Sequence, residues 1–344
     1  MRQGNTTRRG FLRRTAGIGA VGLIPGVAQA AEGPARYLAA ATAAEGHVLV
    51  GLAAGGTEAF RLSLPGAGHA AAAHPDRPEA VAFGRAPMGF TIVVDTVAGR
   101  ALTRIDPAPG RHLAGHGAFD AGAWLLFAAE AADDGSGYLG IHDGFGGYRR
   151  VGEVPTGGRW PHAVLLMPDG ERLAVANAGT PEGGSSLAYL DAASGEILDR
   201  LEPPDPGLAI RHLAVAPDGT LVATLGWSEP DGPAPGLLAV HRPGTPGLVL
   251  FAALPTLGDA AGDIAVSADG RLAAVAGSRG GIVSFDLATG AVAGILPAAG
   301  ACGVAAAADG FVCATSEGAV FLPAADGPAL HLLDLAFAEH LTLL

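Results

Sequence analysis

A repeat of about 48 residues constrains this chain most. One half of it is an apolar run, a turn and a second apolar run. It reads "AVLLMPDGERLAVANA" at 163–178, "LAVAPDGTLVATLG" at 213–226 and "IAVSADGRLAAVAG" at 264–277, with a degenerate copy, "VAAAADGFVCATS", at 304–316. Asp-Gly between alternating apolar runs is a strong hairpin signal. The other half is an aspartate at a strand end with glycine four residues later: Asp95/Gly99, Asp143/Gly147, Asp191/Gly195 and Asp286/Gly290. These aspartates lie 48, 48 and 95 residues apart, and in the double interval His241 takes the aspartate's place.

Four strands per 48 residues define the blade of a β-propeller. Aligning both halves gives six complete blades, starting near His69, His116, Pro161, Arg211, Asp263 and Cys302. The piece before them supplies three more strands. The terminal "EHLTLL" matches "RHLAVA" at 211–216. The expected fold is therefore all-β: a seven-bladed propeller of four-stranded antiparallel blades, with a C-terminal strand as the innermost strand of the N-terminal blade. Such a clasp removes an open sheet edge. The 54 glycines and 25 prolines fit many short strands joined by tight turns.

The same alignment gathers the histidines. The innermost strand of each blade begins beside the central channel, and the residues there are His340, His69, His116, His162, His212, Asp263 and either Cys302 or its neighbour Gly303. Five of eleven histidines thus occupy seven equivalent slots. Imidazoles with a carboxylate suit a transition metal such as iron, copper or zinc, so His69, His116, His162, His212, His340 and Asp263 are candidate ligands. They could instead bind an anionic small molecule, or simply hold strands together as histidines do in WD-repeat propellers. Arg85, Glu130, Asn177 and Trp227 stand at second-strand ends that return to this face. With Arg77 and Arg211 they complete the candidate ligand-binding set.

Residues 1–30 read as a twin-arginine signal peptide and 31–344 as one propeller domain. "TTRRGFLRRT" precedes a short glycine-rich apolar run that ends at Ala28-Gln29-Ala30. About 20 apolar residues are needed to span a bilayer, so no stable membrane anchor is expected; the route predicts a periplasmic protein. The chain's net charge is −12, and removing the five arginines of the leader leaves −17. That argues against nucleic acid or an anionic membrane as a partner, because both need a basic face. No Cys-x-x-Cys-His occurs, so no covalent haem is expected. "GFGG" at 144–147 is a turn and not a nucleotide cradle. Cys302 and Cys313, on neighbouring strands slightly out of register, could pair in an oxidising compartment.

The chain resembles the Tat-exported propeller family catalogued as domain of unknown function fifteen-thirteen. The residues that carry the resemblance are "TRRGFL", "GHAAAAHPDRPEAVAFGR" at 68–85, "GHGAF" at 115–119, "PHAVLLMPDG" at 161–170, "VANAG" at 175–179, "IRHLAVAPDG" at 210–219 and "EHLTLL". It departs from that family at Ala67, where relatives carry arginine, at Ala131-Ala132, where they tend to have Asn-Asp, and in the loop after Asn177, which lacks a His-Pro segment. Relatives are often encoded beside imelysin-type iron-uptake proteins and di-haem peroxidase-like proteins. The resemblance therefore implies a role near iron acquisition, with a periplasmic iron-uptake or redox protein as partner. A ligand-binding or accessory role is expected ahead of an enzymatic one. The rival enzyme reading, a hydrolase, lyase or oxidoreductase, would use His116, His162 or His212 beside Arg211. A pure interaction scaffold is the third reading.

Overall fold

A computed structural model describes residues 33–344, apart from 87–88, 181–183, 228–236, 252–260, 278–280 and 325–326. The twin-arginine segment lies outside the described residues. The strands form seven four-stranded antiparallel sheets. Blade one holds β1 (Ala35–Ala43), β2 (Gly46–Ala53) and β3 (Glu58–Ser63). Blade two holds β4 (Gly68–Ala73), β5 (Glu79–Gly84), β6 (Thr91–Asp95) and β7 (Arg100–Ile105). Blade three holds β8 (Arg111–Phe119), β9 (Leu125–Ala132), β10 (Ser136–Asp143) and β11 (Arg149–Arg159). Blade four holds β12 (Pro161–Leu166), β13 (Arg172–Asn177), β14 (Ser186–Asp191) and β15 (Ile197–Leu201). Blade five holds β16 (Leu208–Val215), β17 (Leu221–Trp227), β18 (Leu238–His241) and β19 (Val249–Phe251). Blade six holds β20 (Ala261–Val266), β21 (Leu272–Gly277), β22 (Gly281–Asp286) and β23 (Val292–Leu296). Blade seven holds β24 (Ala301–Ala307), β25 (Gly310–Thr315), β26 (Ala319–Leu322) and β27 (Ala329–Leu332). The last strand, β28 (Ala336–Leu343), pairs antiparallel with β1 and completes blade one as the clasp anticipated.

Both halves of the repeat have a local physical cause. In the Asp-Gly hairpins the aspartate Oδ1 accepts from backbone N–H groups beyond the turn: Glu171 and Arg172 for Asp169, Thr220 for Asp218, Arg271 for Asp269. The Asp-x3-Gly turns join third to fourth strands in the same way. Asp95, Asp143, Asp191 and Asp286 each accept from the N–H groups two and three residues on. The closing glycine is left-handed, with φ of 61°, 71°, 74° and 73° respectively, a conformation that disfavours any side chain. Where His241 replaces the aspartate, its Nδ1 meets the Tyr189 hydroxyl at 2.7 Å and its Nε2 meets the Thr245 carbonyl at 3.1 Å.

Packing between blades makes the core. One apolar cluster fills each gap between successive blades: Leu38, Leu49, Ala80 and Val94 join blades one and two, and Phe83 meets Leu126 between two and three. Phe127 faces Val175 between three and four, Leu187 faces Leu225 between four and five, and Val222 faces Phe285 between five and six. Ala276 meets Val304, and Val312 meets Val48, to close the ring. Phe83, Phe127 and Phe285 are fully buried, each worth about 1.5–3 kcal/mol of transfer free energy. The turns join this packing. A Cβ on Gly195 would lie 2.3 Å from Val154 Cγ1 in the neighbouring blade. Gly195→Ala is therefore expected to cost about 1–3 kcal/mol, read as a lower urea midpoint with an unchanged m-value.

Candidate functional site

Each innermost strand carries a register shift, and each shift falls at the axial slot. The shifts lie between Gly68 and Ala71 on β4, Leu113 and Gly117 on β8, Pro161 and Ala163 on β12, and Ile210 and Leu213 on β16. They recur between Ala261 and Ile264 on β20, between Ala301 and Gly303 on β24, and where β28 meets β1 between Leu341 and Phe337. A bulge re-aims the side chains it holds. Here the shifts hold the five histidines and Asp263, which come together around the axis, whereas on β24 Cys302 stays against the apolar cluster between blades seven and one.

All five predicted histidines meet there. Ring centroids of His69, His116 and His340 are 4.7–4.9 Å apart. His212 stands 4.4 Å from His340 and 4.8 Å from His162. His69, His116, His212 and His340 are buried. His69, His116 and His340 can each present a nitrogen so that all three atoms lie within 4.8 Å of one another. The Nε2 atoms of His116 and His340 are 3.3 Å apart. Gly115 makes the approach feasible: its φ is +92°, and a Cβ there would lie 2.8 Å from His69 Cδ2.

Two of the rings are oriented by carboxylates. His340 Nδ1 lies 2.8 Å from Asp263 Oδ1, and His69 Nδ1 lies 3.1 Å from Glu339 Oε2. Ionised carboxylates only accept, so both rings carry hydrogen on Nδ1 and offer the Nε2 lone pair. With His340 Nε2 an acceptor, their contact in the metal-free protein makes His116 Nε2–H the donor. These tautomers are assigned from the network. His116 Nδ1, His162 Nε2 and His212 Nδ1 are buried without a partner.

Burial favours the neutral form of His69, His116, His162 and His212. Burial holds His116 and His212 well below the ordinary imidazole value. It draws His162 down to about 3 and lowers His69, against the opposing pull of Glu339. The hydrogen bond from His69 holds the Glu339 carboxyl down at about 2, with Arg85 Nη2 adding an ion pair at 2.8 Å. Burial pushes the Cys302 and Cys313 thiols up to about 12. Both are free rather than disulfide-bonded. Cys302 Sγ points to the Ala314 and Phe337 carbonyls, so it is no ready thiolate ligand.

The remaining predicted residues divide sharply. Arg85 and Arg211 line a cavity of about 350 Å³ beside the rings, together with His69, His162, His212 and Glu339. Asp263 does not face that space as a ligand. Its Oδ1 holds His340, and its Oδ2 accepts from the Val304 and Leu341 N–H groups at 2.9 and 3.1 Å. Glu130 is fully buried inside blade three, gripped by Arg150 through bonds of 2.6 and 3.0 Å. Asn177 is also fully buried, tied to Thr156 and Ser186. Trp227 packs against both apolar clusters that flank blade five. Arg77 follows the far end of β4 and bonds to His74, the Gly144 carbonyl and Tyr148. These four belong to the scaffold: Glu130, Asn177 and Trp227 stand at strand ends that reach the right face but turn their side chains into blade packing, and Arg77 stands beyond the opposite end of its strand. Glu339 was not among the predicted residues. Its sequence signal is its place immediately before an axial histidine.

No curated protein matches the chain. Among solved structures it is similar to hydrazine synthase of Kuenenia stuttgartiensis, with 14% identity, a TM-score of 0.64, and coverage of 83% of this chain and 89% of that one. At that identity the likeness concerns the fold. A family model described as "Protein of unknown function (DUF1513)" matches residues 62–344, a span that holds all five axial histidines, Asp263 and Glu339. The chain belongs to the DUF1513 family.

Proposed function

We propose that this protein is a periplasmic metal-binding propeller, exported by the twin-arginine route, whose axial imidazoles hold a transition metal in an accessory role to iron uptake. The observation that carries the metal is the 3.3 Å separation of His116 Nε2 and His340 Nε2, with His69 in the same cluster. Metal–imidazole bonds of about 2.0–2.1 Å in a tetrahedral site put neighbouring nitrogens about 3.3 Å apart. Carboxylates behind two of the rings supply the outer-shell support typical of metal-bound histidine. Neutral imidazoles suit zinc, copper or iron. His69, His116 and His340 are the proposed ligands, and Asp263 and Glu339 orient them. A site assembled from distant blades exists only in the folded chain, which fits an export route that carries folded cargo. A periplasmic iron-uptake or redox protein is the proposed partner.

Metal analysis of the full chain purified from its native periplasm tests this reading. The expected result is about one transition-metal ion per chain, lost in His116→Ala and His340→Ala variants that keep the wild-type far-ultraviolet circular dichroism. Wild-type protein that carries no metal and takes up no zinc, copper or iron at micromolar concentration would leave an interaction scaffold with structural histidines.

A further inference from the structure

We propose that the cavity beside the imidazoles binds a small carboxylate anion, with Arg211 as its anchor. Arg211 sits in the β16 register shift, next to His212, and lines the cavity. Its Nε is buried without a hydrogen-bond partner, and among the described residues it has no ion pair. Arg85, by contrast, is neutralised by Glu339. His162 Nε2 and His212 Nδ1, also on cavity-lining residues, are buried without partners, and His212 is only 6% exposed. Buried polar groups left unpaired in a native fold call for an occupant. A guanidinium fork matches a planar carboxylate through paired N–H donors. A cavity of about 350 Å³ has room for about ten water-sized groups at roughly 30 Å³ each. That fits an acid of a few carbons.

The charge count points the same way, and this part rests on the metal reading. Glu339 and Asp263 balance Arg85 and Arg211. A divalent ion would add two positive charges, which an anion in the adjoining cavity offsets. Anion and metal should therefore strengthen each other's binding reciprocally.

The test is calorimetric titration of malonate, at constant ionic strength, into metal-free and zinc-loaded full-length protein. Zinc-loaded wild type is expected to bind malonate more tightly than the metal-free form. Arg211→Gln should weaken malonate binding about 30-fold, the equivalent of about 2 kcal/mol at 1.4 kcal/mol per decade, without changing zinc stoichiometry. Arg211→Lys, which keeps the charge but not the fork, should fall between, and it carries the comparison if the glutamine variant does not fold. Arg77→Gln, in the scaffold, should bind malonate as wild type does. Zinc-loaded wild type that ignores malonate, or Arg211 variants that bind it undiminished, would overturn the anion site and leave the metal reading intact. Failure to take up zinc, with Arg211-dependent malonate binding retained, would sink the metal reading and support the anion site.

Discussion

Asp263→Ala is expected to destabilise the protein by about 3–9 kcal/mol, because three buried donors lose their acceptor at roughly 1–3 kcal/mol each. The donors are His340 Nδ1, Val304 N and Leu341 N. They come from blade seven and the clasp strand, while Asp263 belongs to blade six. One carboxylate therefore bonds three neighbouring blades at the point where the ring closes. Chemical denaturation measures the loss. A change below about 1 kcal/mol would show that these bonds do not hold the closure. Asp263→Asn retains one acceptor but turns an amide N–H toward a donor, so it should lie between. In the alanine variant His340 loses its orientation, and zinc affinity should fall about 10–100-fold, as is usual for lost outer-shell partners.

Acid should destabilise the metal-free protein strongly. His69, His116, His162 and His212 all titrate below the ordinary imidazole value in the fold. The unfolded chain takes up protons near pH 6.5 that the folded chain refuses, so the unfolded state binds more protons and stability rises with pH. The stabilisation is complete above pH 6.5 and is lost progressively below it; for His162 the window extends to about pH 3. Each ring held neutral contributes about 1.4 kcal/mol per pH unit in that window. The charged groups facing these rings are Glu339 and Asp263, with Arg85 and Arg211 opposing them. Glu339, held at about 2, adds a further loss below its unfolded value. The melting temperature should drop by about 10 °C or more between pH 7 and pH 5, and His162→Gln with His212→Gln should flatten the profile. A flat profile in the wild-type protein would mean that the rings are hydrated, and that the buried cluster is not as described.

The blades were legible because their determinants are local. Aspartate and a left-handed glycine fix each turn within a few residues, so the period survives in the sequence even where one aspartate becomes His241. The axial slots were legible for a related reason: strict repetition puts equivalent positions at equivalent places around the ring. What a side chain does at its place is a tertiary matter. Glu130 looks like a second-strand residue available to a ligand, yet Arg150, twenty residues on in the same blade, takes both its oxygens. Asp263 occupies a ligand slot, but neighbouring strands supply it with donors, so it serves behind His340. The register shifts leave no compositional mark, and they decide that Glu339 and Arg211 join the histidines at the axis.

The clasp also sets the order of events in synthesis. The centre joins residue 69 to residue 340, so a nascent chain with six finished blades still has a gap in its hub. On the proposed metal reading, capture of the ion must wait for β28 alone, and a product stalled before that strand cannot compete for the ion with the finished protein.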